Sequence, residues 1–522
     1  MTEMPQEKPR RPVVGLPDIL GIAAGLTLLF FLVARHHRYF PDDTFITLRY
    51  ARNLAEHGQL AWNLGELTEG YSSALHVLML AGMISTGMAP ESAAFALATG
   101  STLLLLFIGF CTARLILREP KDASLRSLCW VAFAATPALA VWTAGGLETM
   151  LNAALMSGGL YFVLRLSLDR SRILHACIAG TLFSLAILTR QDNAPVIAAV
   201  ALVTLLVPGW GRGRRLLIAT ILAGLPAGVA LVHMAVRLSV YGLAFPLPFY
   251  AKTGLPLSLR LSNSLEFMAS DLIWLPILVT GIAAALVLVR RSASFATLIG
   301  AISLLSQLIF VTWAGGDHML AGRLIITTVY SSLILILELC RIQPRRIGLA
   351  FSTVAVAATL LSAGTLRTNM TDGAGAIGKM VANHIEKNWP AGSVIALHTA
   401  GSTPFFASDM VYIDMLGLND PHIATRSDIP LITAYQHFPG HAKGDGAYVL
   451  SRRPDFIISG LAEGSPVEEK WFLSDVELAQ SPEFARCYRR ETAEIAYDRS
   501  RITLLSDNPY PLIFTYYRRI CG

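Results

Sequence analysis

Charge is what this chain has least of. Lysine, arginine, aspartate and glutamate supply 15% of its 522 residues, against 53% hydrophobic ones, and the mean hydropathy is +0.52. A soluble domain carries about 25% charged residues, so most of this chain cannot dress a surface for water, and a soluble globular protein is excluded. Cysteine is also scarce, with six residues. Cys111, Cys129, Cys177 and Cys340 lie in or beside apolar runs and read as small hydrophobes. Cys487 and Cys521 lie in a polar tail, and no metal-type spacing links any of them. No internal repeat stands out. The net charge of +6 is spread in short clusters between apolar runs rather than gathered into a basic tract, which argues against a nucleic-acid partner. A cleavable signal is missing too: the first apolar run, Leu16 to Ala34, is too long for a signal core and reads as an anchor.

Long apolar runs are abundant from residue 16 to residue 365, each near the roughly 20 residues a helix needs to cross the hydrocarbon layer. Eleven spans are expected, at about 16–34, 90–113, 125–143, 149–166, 173–189, 194–210, 214–236, 271–290, 293–313, 323–340 and 347–365. Lys8, Arg10 and Arg11 precede the first span, and the connections 165–172, 212–215, 290–291 and 341–346 are basic. By the positive-inside rule these face the cytoplasm. The opposite connections hold Glu148, Arg190 with Asp192, the long stretch from Arg237 to Ser270, and Asp317 with His318. The run Tyr71 to Ser85 would invert this alternation if it crossed, so it is expected as a juxtamembrane or re-entrant helix covered by protein.

After Leu366 charges, prolines and short apolar runs alternate, so residues 1–365 read as a transmembrane domain and 366–522 as an aqueous one. Strands are expected at Val394–Leu397, Val411–Asp414, Phe456–Ser459, Glu494–Tyr497 and Arg501–Leu505, with a helix over Gly375–Lys387. The fold class is therefore an all-α polytopic membrane bundle followed by a small α/β domain. An odd number of spans with the N-terminus inside puts that domain outside the cytoplasm.

The most informative stretch follows the first span, from Phe40 to Leu54. Asp42 and Asp43 stand at the exit of a membrane helix, and Phe45, Leu48 and Leu54, with Arg49 and Arg52 between them, have the period of an amphipathic interfacial helix. An aspartate here can simply cap that helix; two beside a membrane surface also suit a general base. Glu148, Arg190, Lys252, Asp317, His318 and Arg323 lie on the other outer connections. Singly each reads as an anchor or a cap. Together they make a layer of cations and carboxylates around an apolar bundle, which is the inventory for a lipid-linked phosphate and an incoming hydroxyl.

These residues carry a resemblance. Asp42-Asp43, then Arg49-Tyr50-Ala51-Arg52-Asn53-Leu54, Trp62-Asn63-Leu64-Gly65-Glu66 and Glu69-Gly70-Tyr71-Ser72 resemble the first outer loop of GT-C glycosyltransferases. The likeness is greatest to those similar to mycobacterial terminal β-arabinofuranosyltransferases. It continues through Gly146-Leu147-Glu148-Thr149, Leu188-Thr189-Arg190, Tyr250-Ala251-Lys252, Gly315-Gly316-Asp317 with Arg323, Gly417-Leu418-Asn419-Asp420 and Gly440-His441-Ala442-Lys443. It implies a GT-C-like bundle that moves a sugar, D-arabinofuranose first, from a polyprenyl-phosphate donor to an extracytoplasmic glycan or glycoconjugate. It also implies that the acid/base is Asp42, with Asp43 the close second. Glu148 matches the second acidic position, Lys252 and Arg323 are the expected phosphate contacts with Arg190 behind them, and Arg49, Arg52, Asp317 and His318 complete the substrate-binding candidates. No cofactor is required, and nothing calls for a divalent metal, although carboxylates would accept one.

A transporter or flippase of lipid-linked sugars is the alternative, but such proteins place ionisable residues near the midplane in two corresponding halves, and here they gather at one face. The topology is directly testable. A C-terminal alkaline phosphatase fusion should be active and a C-terminal fluorescent-protein fusion, exported through the general secretion route, dark; the reverse pattern would overturn the odd-span arrangement.

Overall fold

The computed structural model describes residues 14–36, 39–167, 173–207, 210–290, 294–366, 372–497 and 510–521. It is a helical membrane-type bundle followed by a small α/β unit. The bundle opens with α1 (Leu16–His36), after which α2 (Asp42–His57) and α3 (Ala74–Ser85) lie outside the row of long helices. Next come α4 (Pro90–Ile116), α5 (Ala123–Ala134), α6 (Pro137–Gly145), α7 (Thr149–Leu166), α8 (Ile173–Thr189), α9 (Ala194–Thr204) and α10 (Arg212–Tyr241). The connection holding α11 (Leu247–Lys252) and α12 (Leu257–Asp271) leads to α13 (Pro276–Val289), α14 (Phe295–Ala314), α15 (Thr328–Ile342) and α16 (Arg345–Thr365).

Each expected span overlaps helical structure, 125–143 falling on both α5 and α6, but among the described residues six helices are long and apolar enough to cross a membrane alone, or eight if two bent pairs count as single spans. The bends have a local cause. Proline opens both α6 and α13, and the residue before a proline is driven out of the helical region; the chain turns by 46° between α5 and α6 and by 103° between α12 and α13. Three expected spans are short, α8 with 17 residues, α9 with 11 and α15 with 15. In α15 every residue from Thr328 to Cys340 is buried, so protein rather than lipid surrounds it. Close approach between helices relies on small residues, as in membrane bundles generally. A Cβ on Gly281 would lie 2.4 Å from the Ser332 side chain, and one on Gly159 would lie 2.2 Å from the Phe183 ring.

The α/β unit contains α17 (Gly373–Asn388), α18 (Ser402–Phe406) and a five-stranded sheet. Its strands are β1 (Val394–Leu397), β2 (Val411–Asp414), β3 (Phe456–Ile458), β4 (Tyr488–Ile495) and β5 (Leu512–Arg519), in the order β2-β1-β3-β5-β4. The first three pair in parallel, and β5 runs antiparallel to both β3 and β4. The expected terminal strand at 494–497 is the end of a longer strand that begins at Tyr488 and stops at Ile495, and its partner is residues 512–519. The expected strand at 501–505 lies outside the described residues.

One expectation for the first loop changes. α3 has 12 residues, about 18 Å at 1.5 Å per residue, too short by itself to span the roughly 30 Å of hydrocarbon. α2, however, is not an interfacial helix: Thr44 to Ala51 are all buried. Phe45, Leu48, Tyr50 and Trp62 share one apolar core with Val381, Phe405, Tyr412 and Phe514 of the α/β unit. The apolar face of α2 is covered by protein, not by lipid.

Cys487 and Cys521 form a disulfide, with Cα atoms 4.9 Å apart. It fastens the residue before β4 to the end of β5 and closes a 34-residue separation. A cross-link of that kind typically contributes about 2–4 kcal/mol. Cys521→Ser should therefore lower the thermal midpoint of the purified chain, and the same decrease should follow reduction of the unsubstituted protein. Equal midpoints would show that the bridge does not support the sheet.

Candidate active site

Where one end of the bundle meets the α/β unit, the helix connections line a cavity of about 670 Å³. Its wall has apolar residues, Phe245, Phe249, Leu255, Phe310 and Trp313. It also has four cations, Arg190, Lys252, Arg260 and Arg323, and four carboxylates, Asp43, Glu148, Asp192 and Asp317, with Arg260 lying over the Trp313 ring. The bundle supplies these charges from five separate connections, and the α/β unit adds Leu418 and Pro439 to the wall.

Most of the charges are already matched. Arg190 bridges Glu148 at 2.6 Å and Asp192 at 2.7 Å. Arg323 donates Nε–H to Asp317 at 2.7 Å, and the amide of His318 donates to the other oxygen of Asp317 at 2.9 Å. Burial by itself would raise the pKa of both Glu148 and Asp317. For Asp317 the neighbouring Arg323, Lys252 and His318 outweigh it and hold the carboxyl well below its ordinary range. For Glu148, Arg190 and Arg323 do the same. Both groups are fixed anions and poor proton acceptors. Two groups are less engaged. Lys252 makes no hydrogen bond or ion pair among the described residues, and burial, followed by repulsion from Arg323, pulls its pKa down. Among the described residues Asp43 has one loose ion-pair contact, 3.7 Å from Arg323, and its side chain is 27% exposed.

The two adjacent aspartates part company. Asp42 does not line the cavity. Its carboxylate accepts the amides of Gly401 at 2.9 Å and Ser402 at 2.7 Å, at the start of α18. Its own amide donates to Asp372 at 3.0 Å, and Asp372 also caps α17 by accepting from Gly375 at 2.8 Å. Burial pushes Asp42 up to about 7 against those amides, and Asp372 and Asp43 push the same way. Successive helical residues point about 100° apart, so with Asp42 turned to the α/β unit, Asp43 is the one facing the cavity. Of the two aspartates that the sequence offered, Asp42 first and Asp43 second, it is Asp43 that lines the cavity.

Other sequence candidates divide in the same way. Glu148, Arg190, Lys252, Asp317 and Arg323 are brought together at the cavity. Arg49 and Arg52 are not. Arg49 is buried, donates to the carbonyls of Trp62 and Pro404, and lies over the Tyr412 ring. Arg52 lies over Phe405, its guanidinium carbon 4.4 Å from the ring centre. Both join α2 to the α/β unit, because the face carrying them turned inward. His318 stands beside Asp317, with its ring edge-on to His441 at 5.0 Å between centres. Sequence reasoning missed Arg260, Asp372 and the buried pair Glu69–Arg237; the signal available for the last was an arginine at the end of an apolar run. Among the described residues no group of three or more His, Cys, Asp or Glu is arranged to hold a metal ion.

Comparison with known proteins adds to this geometry. A family model described as a domain of unknown function, DUF8728, matches residues 366–505. No curated protein matches the chain. Among solved structures, ArnT from Cupriavidus metallidurans bound to undecaprenyl phosphate is similar, with a TM-score of 0.53 and 15% identity over 76% of this chain and 85% of that one. The apo form of ArnT gives a TM-score of 0.51 and 15% identity over 96% and 97%. The archaeal oligosaccharyltransferase AglB from Archaeoglobus fulgidus, in complex with an inhibitory peptide and a dolichol-phosphate, gives 0.53 and 12% identity over 88% and 72%. The polytopic bundle with its C-terminal domain thus shares the fold of ArnT and AglB.

Proposed function

We propose that this chain is an integral-membrane glycosyltransferase that moves a sugar from a polyprenyl-phosphate donor to a hydroxyl of an extracytoplasmic glycan or glycoconjugate. The observation that carries the reading is Lys252, a half-buried ammonium that makes no hydrogen bond or ion pair among the described residues, in one cavity with Arg323, Asp43 and an apolar wall. An ammonium drawn partly out of water without a hydrogen-bond acceptor is costly, and a phosphodiester is the kind of ligand that would supply one. The structural neighbours support this lipid class, since one is bound to undecaprenyl phosphate and another is in complex with a dolichol-phosphate. D-arabinofuranose is the proposed sugar, on the motif resemblance. In this reading residues 1–365 form the catalytic membrane domain, residues 366–522 face the periplasm or its equivalent, and the N-terminus is cytoplasmic.

The chemistry follows from the charges. The donor phosphate lies against Lys252 and Arg323, with its prenyl chain along Phe249, Phe310 and Trp313. Asp43 takes the proton of the acceptor hydroxyl as its oxygen bonds to the anomeric carbon. The anomeric carbon–phosphate oxygen bond breaks, and polyprenyl phosphate leaves with one more negative charge than it had as a diester. Lys252 and Arg323 meet that added charge, which strengthens their hold in the transition state. Glu148 and Asp317 cannot replace Asp43, because Arg190 and Arg323 hold them as paired anions. Asp42 aligns the start of α2, which fixes where Asp43 points.

The test separates the two aspartates. With a labelled polyprenyl-phosphoarabinose donor and a glycan acceptor, Asp43→Asn should lose the roughly 10²–10⁴-fold that a general base supplies while still binding donor. Asp42→Asn should chiefly lower the thermal midpoint and keep far more of its turnover. Lys252→Ala and Arg323→Ala should weaken donor binding by removing charge-assisted hydrogen bonds. Full turnover in a folded Asp43→Asn protein would refute the base assignment, and uptake of the donor into vesicles without product would favour a transporter.

A further inference from the structure

Arg237 is a fully buried cation, 1% exposed, in the last turns of α10. It does not line the cavity, and nothing in the proposed chemistry uses it. An ionisable residue in an apolar span is expensive to retain, so its contacts show what it maintains. Its Nε–H donates to Glu69 at 2.6 Å, and Glu69 is itself 3% exposed. With the Gln191 side-chain oxygen turned toward it, the same guanidinium also donates to Gln191. Tyr241, one turn further along α10, meets Tyr71 through their hydroxyls at 3.3 Å.

These partners belong to three walls of the cavity. Glu69 is followed by Gly70, Tyr71, Ser72 and Ser73, which line it. The Glu69 carbonyl accepts the amide of Leu247 at 2.9 Å, and Leu247 is the first residue of α11, the short helix that ends at Lys252. Gln191 adjoins Arg190, the cation paired with Glu148. One buried ion pair therefore touches the segment before α3, the start of the Lys252 helix and the Arg190 turn together.

We infer that Arg237 and Glu69 are positioning residues for Lys252, holding the start of its helix against the Arg190 turn so that the ammonium meets a lipid-linked phosphate. The inference rests on the donor reading above. Neither residue reaches the ligand. Glu69 acts on Lys252 through the Leu247 amide, and Arg237 holds Glu69 in place against Gln191.

The full chain in nanodiscs, with undecaprenyl phosphate as the probe, provides the test. Glu69→Gln keeps the side-chain shape but removes the charge that anchors Arg237. It should weaken probe binding roughly tenfold, the scale on which loss of a supporting contact is felt at a site, with little change in thermal midpoint. Combined with Lys252→Ala it should add little to the loss caused by Lys252→Ala alone, because both act through one cation. Losses that multiply would mark independent effects and overturn the inference, as would wild-type affinity in the folded Glu69→Gln protein. If Glu69→Gln does not fold, Arg237→Lys keeps the charge but cannot hold Glu69 and Gln191 at once; unchanged binding there overturns the inference too. If the unsubstituted protein itself binds no undecaprenyl phosphate, the donor reading fails and this inference falls with it.

Discussion

The carboxylate of Asp42, accepting two backbone amides of the α/β unit, joins the halves of this molecule at the start of α2. Much else depends on that contact. It sits at the first residue of α2, a helix whose apolar face is buried in the same core as the sheet. Asp372 receives the Asp42 amide and caps α17 with the same oxygen, so the loop and the α/β unit are tied in both directions. Gly401 permits the approach, because a Cβ there would lie 2.0 Å from the Asp42 carbonyl oxygen. The α/β unit is thereby tied over one end of the bundle, with the next residue, Asp43, at the cavity.

Charge pairing inside the cavity then sorts residues that composition treats alike. A carboxylate taken from water is penalised unless cations or hydrogen bonds compensate it. Glu148 and Asp317 are compensated fully, and their pKa values fall despite burial. Asp42 is compensated by amides alone, beside two other carboxylates, and its pKa rises to about 7. Lys252 is only partly compensated, by Asp317 and Asp43 at a distance, and its pKa falls because burial and Arg323 outweigh them. This electrostatic inventory is what separates the cavity from an ordinary cluster of helix-end charges.

Much of the bundle was legible in the chain because the bilayer imposes a simple requirement, long uncharged runs of helix-forming residues. Leu16–His36, Pro90–Ile116, Phe295–Ala314 and Arg345–Thr365 answer to it almost residue for residue. Short strands such as Val394–Leu397 and Val411–Asp414 were legible from their apolar, β-branched content between turns. The end of the chain was less so. Alternation marked Glu494 as strand, but which later segment pairs with it depends on register and on loop closure, and neither is written in a local pattern.

Sequence alone determined that residues 16–365 form a membrane bundle, that its outer connections carry the charged residues, and that an aspartate of the Asp42-Asp43 pair belongs among them, because hydrophobic burial and charge cost act on composition and spacing. Tertiary structure decided which aspartate faces the cavity, that Arg49 and Arg52 turn into a protein core, and that Arg237 and Glu69 meet. Those outcomes depend on contacts between residues far apart in the chain, such as Asp42 with Gly401 and Glu69 with Arg237. A one-dimensional pattern shows that such groups must be paired, but only packing selects the partner.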